Sequence, residues 1–136
     1  MRNELQMRLS CIPSNVAVAR IALATFAGSE FGLSEVEEVK IAVSEAVSNA
    51  VLHAYPDGDG KVEIRASLED GVLSVDVVDF GVGIPDVAKA KEPGFTTIDE
   101  HMGLGFSFIE SFMEEVRVES EAGRGTRVFM VKRRCP

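Results

Sequence analysis

Glu45 and Asn49 stand four residues apart in SEAVSNAVLHAY, the stretch from Ser44 to Tyr55, and therefore share one side of any helix formed there. A carboxylate can take a proton, and a carboxamide offers an acceptor and two donors, so the pair could do chemistry. The competing reading is a solvated helix face. On a helical wheel the two lie roughly opposite Val36, Val43, Val47 and Ala50. Ile41 and Leu52 flank the same side, however, and no lysine or arginine between Ile41 and Gly60 is there to pair with the carboxylate. The pair is expected to be half covered.

A second cluster, DFGVG from Asp79 to Gly83, ends an apolar run, and Gly103-Leu104-Gly105 and Gly125-Thr126 follow it. Taken singly, such glycine pairs are turns. Asp-Phe-Gly also occurs in protein kinases, but their glycine-rich loop, strand lysine and His-Arg-Asp segment have no counterpart upstream. The chain has no GxxxxGK[ST] phosphate loop, and GLGFSF lacks the third glycine of a dinucleotide fingerprint.

The elements that must position these residues follow from periodicity. ELQMRLSCI alternates as a strand; Pro13-Ser14-Asn15 opens a helix to about Ala27, and Gly28 and Gly32 break it. Ser34, a turn ahead of Glu37 and Glu38, marks the start of a second helix that runs to His53, itself expected to cap or pack the helix end. KVEIRASL and VLSVDVVDF form a hairpin through Glu69-Asp70-Gly71. Gly81 to Gly105 shows too little periodicity for a long element, FSFIESFM reads as a short helix, and EVRVES and TRVFMVKR form a second hairpin, with VKRRC as a solvated strand end. This order predicts an α+β, two-layer sandwich: one mixed, mostly antiparallel sheet with helices on one face.

A length of 136 residues fits a single domain, 1–136. No run of about 18 apolar residues suggests a membrane span, and MRNELQMRLS has no apolar signal-peptide centre, so a cytoplasmic protein is expected. Cys11 and Cys135 make no CxxC and are expected to be reduced thiols. A net charge of −8 disfavours direct binding to nucleic acid and suits basic protein partners.

In order and spacing, Glu45-xxx-Asn49, Asp79-Phe-Gly-Val-Gly83, Gly103-Leu-Gly105 and Gly125-Thr126 resemble the N, G1 and G2 boxes of the GHKL (Bergerat-fold) ATPases. With ARIALATFA, VKIAVSEAVSNAVLHAY, VVDFGVGIPD, GFTT, MGLGFSFIESFMEEV and VESEAGRGT, the chain is similar over nearly its whole length to the small bacterial anti-sigma serine-protein kinases. The resemblance implies that ATP or ADP is bound with Mg²⁺. Asn49 would ligate the metal, Glu45 would take the proton of the attacking hydroxyl, and Asp79 would receive the adenine amine. Gly81 and Gly83 would leave room for the nucleotide, the backbone of Gly103, Leu104 and Gly105 would face the phosphates, and Thr126 would line the site. Thr96 and Thr97 would reach a terminal phosphate from a lid over about residues 86–102, in which His101-Met102 replaces the family's usual Arg-Ser. The partners implied are a sporulation-type sigma factor, an anti-anti-sigma factor phosphorylated on serine, and a second copy in a homodimer, paired along the first strand; Arg20 would belong to the partner-facing surface. The alternatives are an anti-sigma binding module without phosphotransfer and a histidine-kinase-type catalytic domain.

Overall fold

Strict alternation along Lys61–Glu69 (β2) and Val72–Asp79 (β3) turns Val62, Ile64, Ala66 and Leu68, and then Leu73, Val75 and Val77, to one buried face. The other face carries mostly polar side chains, with Val72 and Val78 among them. The computed structural model describes residues 1–84 and 101–134, with the backbone alone for 101–106. Around the central hairpin stand Asn3–Ser10 (β1), Glu115–Glu121 (β4) and Gly125–Arg133 (β5), giving the order β1-β2-β3-β5-β4. Ser14–Ala27 (α1), Leu33–His53 (α2) and His101–Phe112 (α3) pack on the apolar face, with α2 between the other two.

The expected two-layer sandwich is present, and all neighbouring strands in it are antiparallel. The reason lies in the α1–α2 excursion. Two successive helices carry the chain away from the end of β1 and back to it, so Lys61 enters beside Ser10 and β2 must run opposite to β1.

The start of α2 differs from the expected one. Gly32 is extended and donates its N–H to Glu35 Oε1 at 3.2 Å, so the helix opens at Leu33 and Ser34 lies in its first turn. Its buried face, Val39, Ala42, Val43, Ala46, Val47 and Ala50, meets the sheet and the flanking helices. Among the described residues no helix is long and apolar enough to cross a membrane. Cys11 is buried without a disulfide, its thiol pushed up to about 11 by burial and then by the charge of Asp79, which keeps it protonated. Cys135 lies outside the described residues.

The chain's end is not a wholly solvated strand end. Lys132 is buried, and its Nζ donates to the Phe112 carbonyl at 2.6 Å and to Glu38 Oε1 at 3.1 Å. One ammonium thus ties β5 to α2 and to the last carbonyls of α3, where a positive charge also favours the helix dipole. Lys132→Ala leaves the Phe112 carbonyl and the Glu38 carboxylate without this donor and should lower unfolding free energy by about 2 kcal/mol. Urea denaturation measures this; an unchanged midpoint would mean that water replaces the ammonium without loss.

Candidate functional site

Small residues on α2 leave a cavity between that helix and one end of the sheet. Ala46, Ala50 and Ala54 form its helical wall with Asn49 and His53; Val77 and Asp79, Gly83 and Ile84, and Thr126 and Val128 close it from the sheet side. Asn49 is only 7% exposed. Both its Oδ1 and its Nδ2 are buried, and no described group hydrogen-bonds either. A buried carboxamide left in this state costs free energy, and a ligand that supplied the two bonds would recover it.

Across the cavity Asp79 is 8% exposed. Its Oδ1 accepts the Gly81 N–H at 3.0 Å, and the Thr126 N–H bonds the carboxylate from the facing strand. Burial pushes the carboxyl up from its ordinary value, the two N–H donors pull it down, and burial wins. The folded state therefore holds the proton more tightly than the unfolded chain. Asp79 contributes stability that is fully present below the unfolded pKa and is lost as pH rises through the higher folded one. The slope of unfolding free energy against pH in that window should lose its Asp79 component in Asp79→Asn. Urea titrations at several pH values check this; an unaltered slope would remove Asp79 as its source.

The glycines beside Asp79 are required by close backbone approach. A Cβ on Gly81 would collide with the carbonyl oxygen of Ala54, which accepts the Val82 N–H at 2.9 Å and so fixes the DFGVG segment to the end of α2. Gly83 has φ of 79°, and a Cβ there would collide with the Glu121 carbonyl.

Glu45, half-buried, precedes Asn49 by one turn, outside the cavity wall, and no described residue bonds or pairs with its carboxylate. Asn49 is thus more deeply buried than the half-covered pair expected, while Ile41 and Leu52 beside it are exposed. His53 lines the cavity with its Nε2 buried. Arg20 lies apart from the cavity on α1, its Nη1 donating to Ser44 Oγ on α2 at 3.5 Å. The helix expected from Phe106 begins at His101, so Gly103, Leu104 and Gly105 fall within its first two turns. Thr96, Thr97 and nearly all of the lid segment lie outside the described residues.

Two residues that patterning did not single out shape the cavity's rim. Tyr55 accepts the Phe80 N–H at 2.8 Å and donates to the Lys61 carbonyl at 2.6 Å, fastening the end of α2 to β2 and to the DFGVG segment. Ser120 Oγ accepts the Ile84 N–H at 2.6 Å and contacts Thr126 Oγ1 at 2.9 Å. Ser120 shares the inward register of Val116 and Val118 in β4, and a polar residue at an inward position is the signal by which it could have been found.

A family profile described as "Histidine kinase-like ATPase domain" matches residues 10–132. An anti-sigma F factor of Geobacillus stearothermophilus is 44% identical, over 99% of this chain and 95% of that protein. Those of Clostridium acetobutylicum and Pasteuria penetrans are 40% and 42% identical, over 98% and 97% of this chain and 95% and 91% of theirs. Among solved structures, the nucleotide-free catalytic domain of the histidine kinase ThkA superposes with a TM-score of 0.60 at 14% identity, covering 97% of this chain and 99% of that one, a likeness of fold. The fold is thus shared, and the chain belongs to the histidine kinase-like ATPase domain family and, within it, to the family of the anti-sigma F factors.

Proposed function

We propose that this protein is an anti-sigma factor and serine-protein kinase. It binds ATP with Mg²⁺ in the cavity beside α2, holds a sporulation-type sigma factor inactive, and phosphorylates a serine of an anti-anti-sigma partner. The observation that carries the nucleotide part is Asn49, a buried carboxamide whose oxygen and nitrogen both lack a described partner. The partner part is supported by relatives named anti-sigma F factor that align over nearly the full chain.

The residues fit the ligands. Mg²⁺ is held by oxygens and keeps several waters, so one protein oxygen beside the phosphates would suffice, and Asn49 Oδ1, buried without a described partner, would supply it. A cation held there would supply neutralisation of the phosphate charge. Asp79, with two N–H donors already on its carboxylate, accepts the exocyclic amine of adenine with a remaining lone pair. Backbone amides early in α3 would attract anionic phosphates, with the helix dipole adding to that attraction. Glu45, one turn before Asn49, takes the proton as the partner's serine oxygen bonds to the γ-phosphorus and the bond to the ADP oxygen breaks. A pure binding module needs Asn49 and Asp79 but has no use for that carboxylate. β1 lies at the sheet's edge, where a second copy can pair with it.

The test is incubation of the protein with γ-labelled ATP, Mg²⁺ and the proteins that copurify with it from its native host. Acid-stable label on a partner serine is the expected result. Acid-labile label on histidine would favour a histidine-kinase domain, and a nucleotide-dependent sigma complex with no label would favour the binding module.

A further inference from the structure

The two hydroxyls at the sheet end of the cavity can make all their close contacts as hydrogen bonds in one proton order. Ser120 on β4, Thr126 on β5 and Asp79 on β3 are successive cross-strand neighbours on the same face. A serine hydroxyl has one proton to donate and two lone pairs. Ser120 Oγ accepts the Ile84 N–H at 2.6 Å, using one lone pair, and lies 3.1 Å from the Gly125 carbonyl, which can only accept. The arrangement that satisfies every contact gives the Ser120 proton to Gly125. The 2.9 Å contact between Ser120 Oγ and Thr126 Oγ1 must then be made by the Thr126 proton. Thr126 is left with lone pairs only for whatever enters the cavity it lines.

From this we infer that Ser120, whose oxygen accepts the Thr126 hydroxyl proton and which does not itself line the cavity, is a specificity-determining residue: it fixes Thr126 as a hydrogen-bond acceptor, so that the nucleotide site selects a 6-amino purine over a 6-oxo purine. The inference rests on the nucleotide reading of the cavity. A base facing Thr126 Oγ1 must bring a hydrogen. The 6-amino group of adenine has two; the 6-oxo group of hypoxanthine has none and presents lone pair to lone pair. Asp79, an acceptor when ionised, reinforces the preference from β3. Without Ser120, the Thr126 hydroxyl can rotate and donate, and the discrimination at that atom is lost. A site with polar groups committed in this way rejects the mismatched ligand strongly, because the mismatch leaves a buried group unpaired.

The test is calorimetric titration of ADP and inosine 5′-diphosphate, which differ at the purine 6-position and its N1 proton, into the parent, Ser120→Ala, Thr126→Val and the double variant. The parent should prefer ADP. Ser120→Ala should shrink the ADP-to-IDP affinity ratio by about tenfold, the scale of one hydrogen bond's worth of discrimination. Thr126→Val should shrink it similarly, and the double variant should lose no more than Thr126→Val alone, since both act through one oxygen. Ser120→Thr keeps the hydroxyl and should retain the parental ratio. If Ser120→Ala weakens both nucleotides equally, or if the two losses add in the double variant, Ser120 is only a structural support and the inference is overturned. Should Ser120→Ala not fold, a parental ratio in Thr126→Val overturns it equally. Parent protein that binds neither diphosphate would instead bring down the nucleotide reading itself.

Discussion

Asn49→Ala should yield a protein at least as stable as its parent without ligand, and one that Mg-nucleotide no longer stabilises. The two halves have one cause. In the parent, a buried carboxamide carries the desolvation cost of two polar atoms that have no partner among the described residues, and alanine removes the polar atoms along with that cost. Alanine also suits the helix, where Ala46 and Ala50 already stand alongside. Ligand-induced stabilisation, about 2.7 kcal/mol at a hundredfold excess over Kd, should disappear as affinity falls on the order of 100-fold or more. If Asn49 acts through the cation, the parent and the variant should bind ADP alike when Mg²⁺ is chelated, and diverge when it is restored. Calorimetry with and without Mg²⁺, beside urea unfolding of the unliganded proteins, measures all three quantities. Undiminished affinity for Mg-nucleotide would remove Asn49 from the site, whatever its burial.

What the sequence disclosed about this site, and what it hid, follows from how each residue is placed. Period-two alternation in KVEIRASL and VLSVDVVDF fixed the inward faces of β2 and β3 because each residue's side is decided locally. Asp79 could be singled out because a carboxylate followed by Gly-x-Gly at a strand end is a local pattern. Asn49 was harder. The wheel placed it away from the valine stripe, yet Ala42 and Ala46, small enough to leave a hollow, share its side of α2, so the buried arc is wider than the large residues suggest. Lys132 and Ser120 were hidden for a different reason. Lys132 is buried because Phe112 and Glu38 meet it, 20 and 94 positions away in the chain, and the Ser120 bond to Ile84 spans 36. None of these three partners can be read from neighbouring residues. The antiparallel entry of β2 beside β1 likewise depends on α1 and α2 forming a returning pair, a property of the assembled helices.

Glu45→Gln should bind nucleotide and sigma factor as the parent does and lose phosphotransfer by about 10²- to 10⁴-fold, the usual contribution of a positioned general base. Glutamine reproduces the size and planarity of the side chain, and no described residue bonds or pairs with Glu45, so the exchange breaks no hydrogen bond or ion pair among the described residues. What it removes is the capacity to hold a proton. Asn49, one turn further on, keeps its place, because the backbone of α2 is fixed by Val39, Val43 and Val47 on the opposite side. Glu45→Asp provides the geometric control. It keeps the base and withdraws it by one methylene, so its rate should lie between those of the parent and Glu45→Gln, with nucleotide affinity unmoved in both. Single-turnover transfer at saturating ATP separates the chemical step from binding, and calorimetry supplies the affinity. Parental transfer in Glu45→Gln would exclude Glu45 as the base. A matching loss of nucleotide affinity would instead make it a ligand-positioning group, because a residue needed only when the serine proton leaves has no part in holding ATP in the ground state.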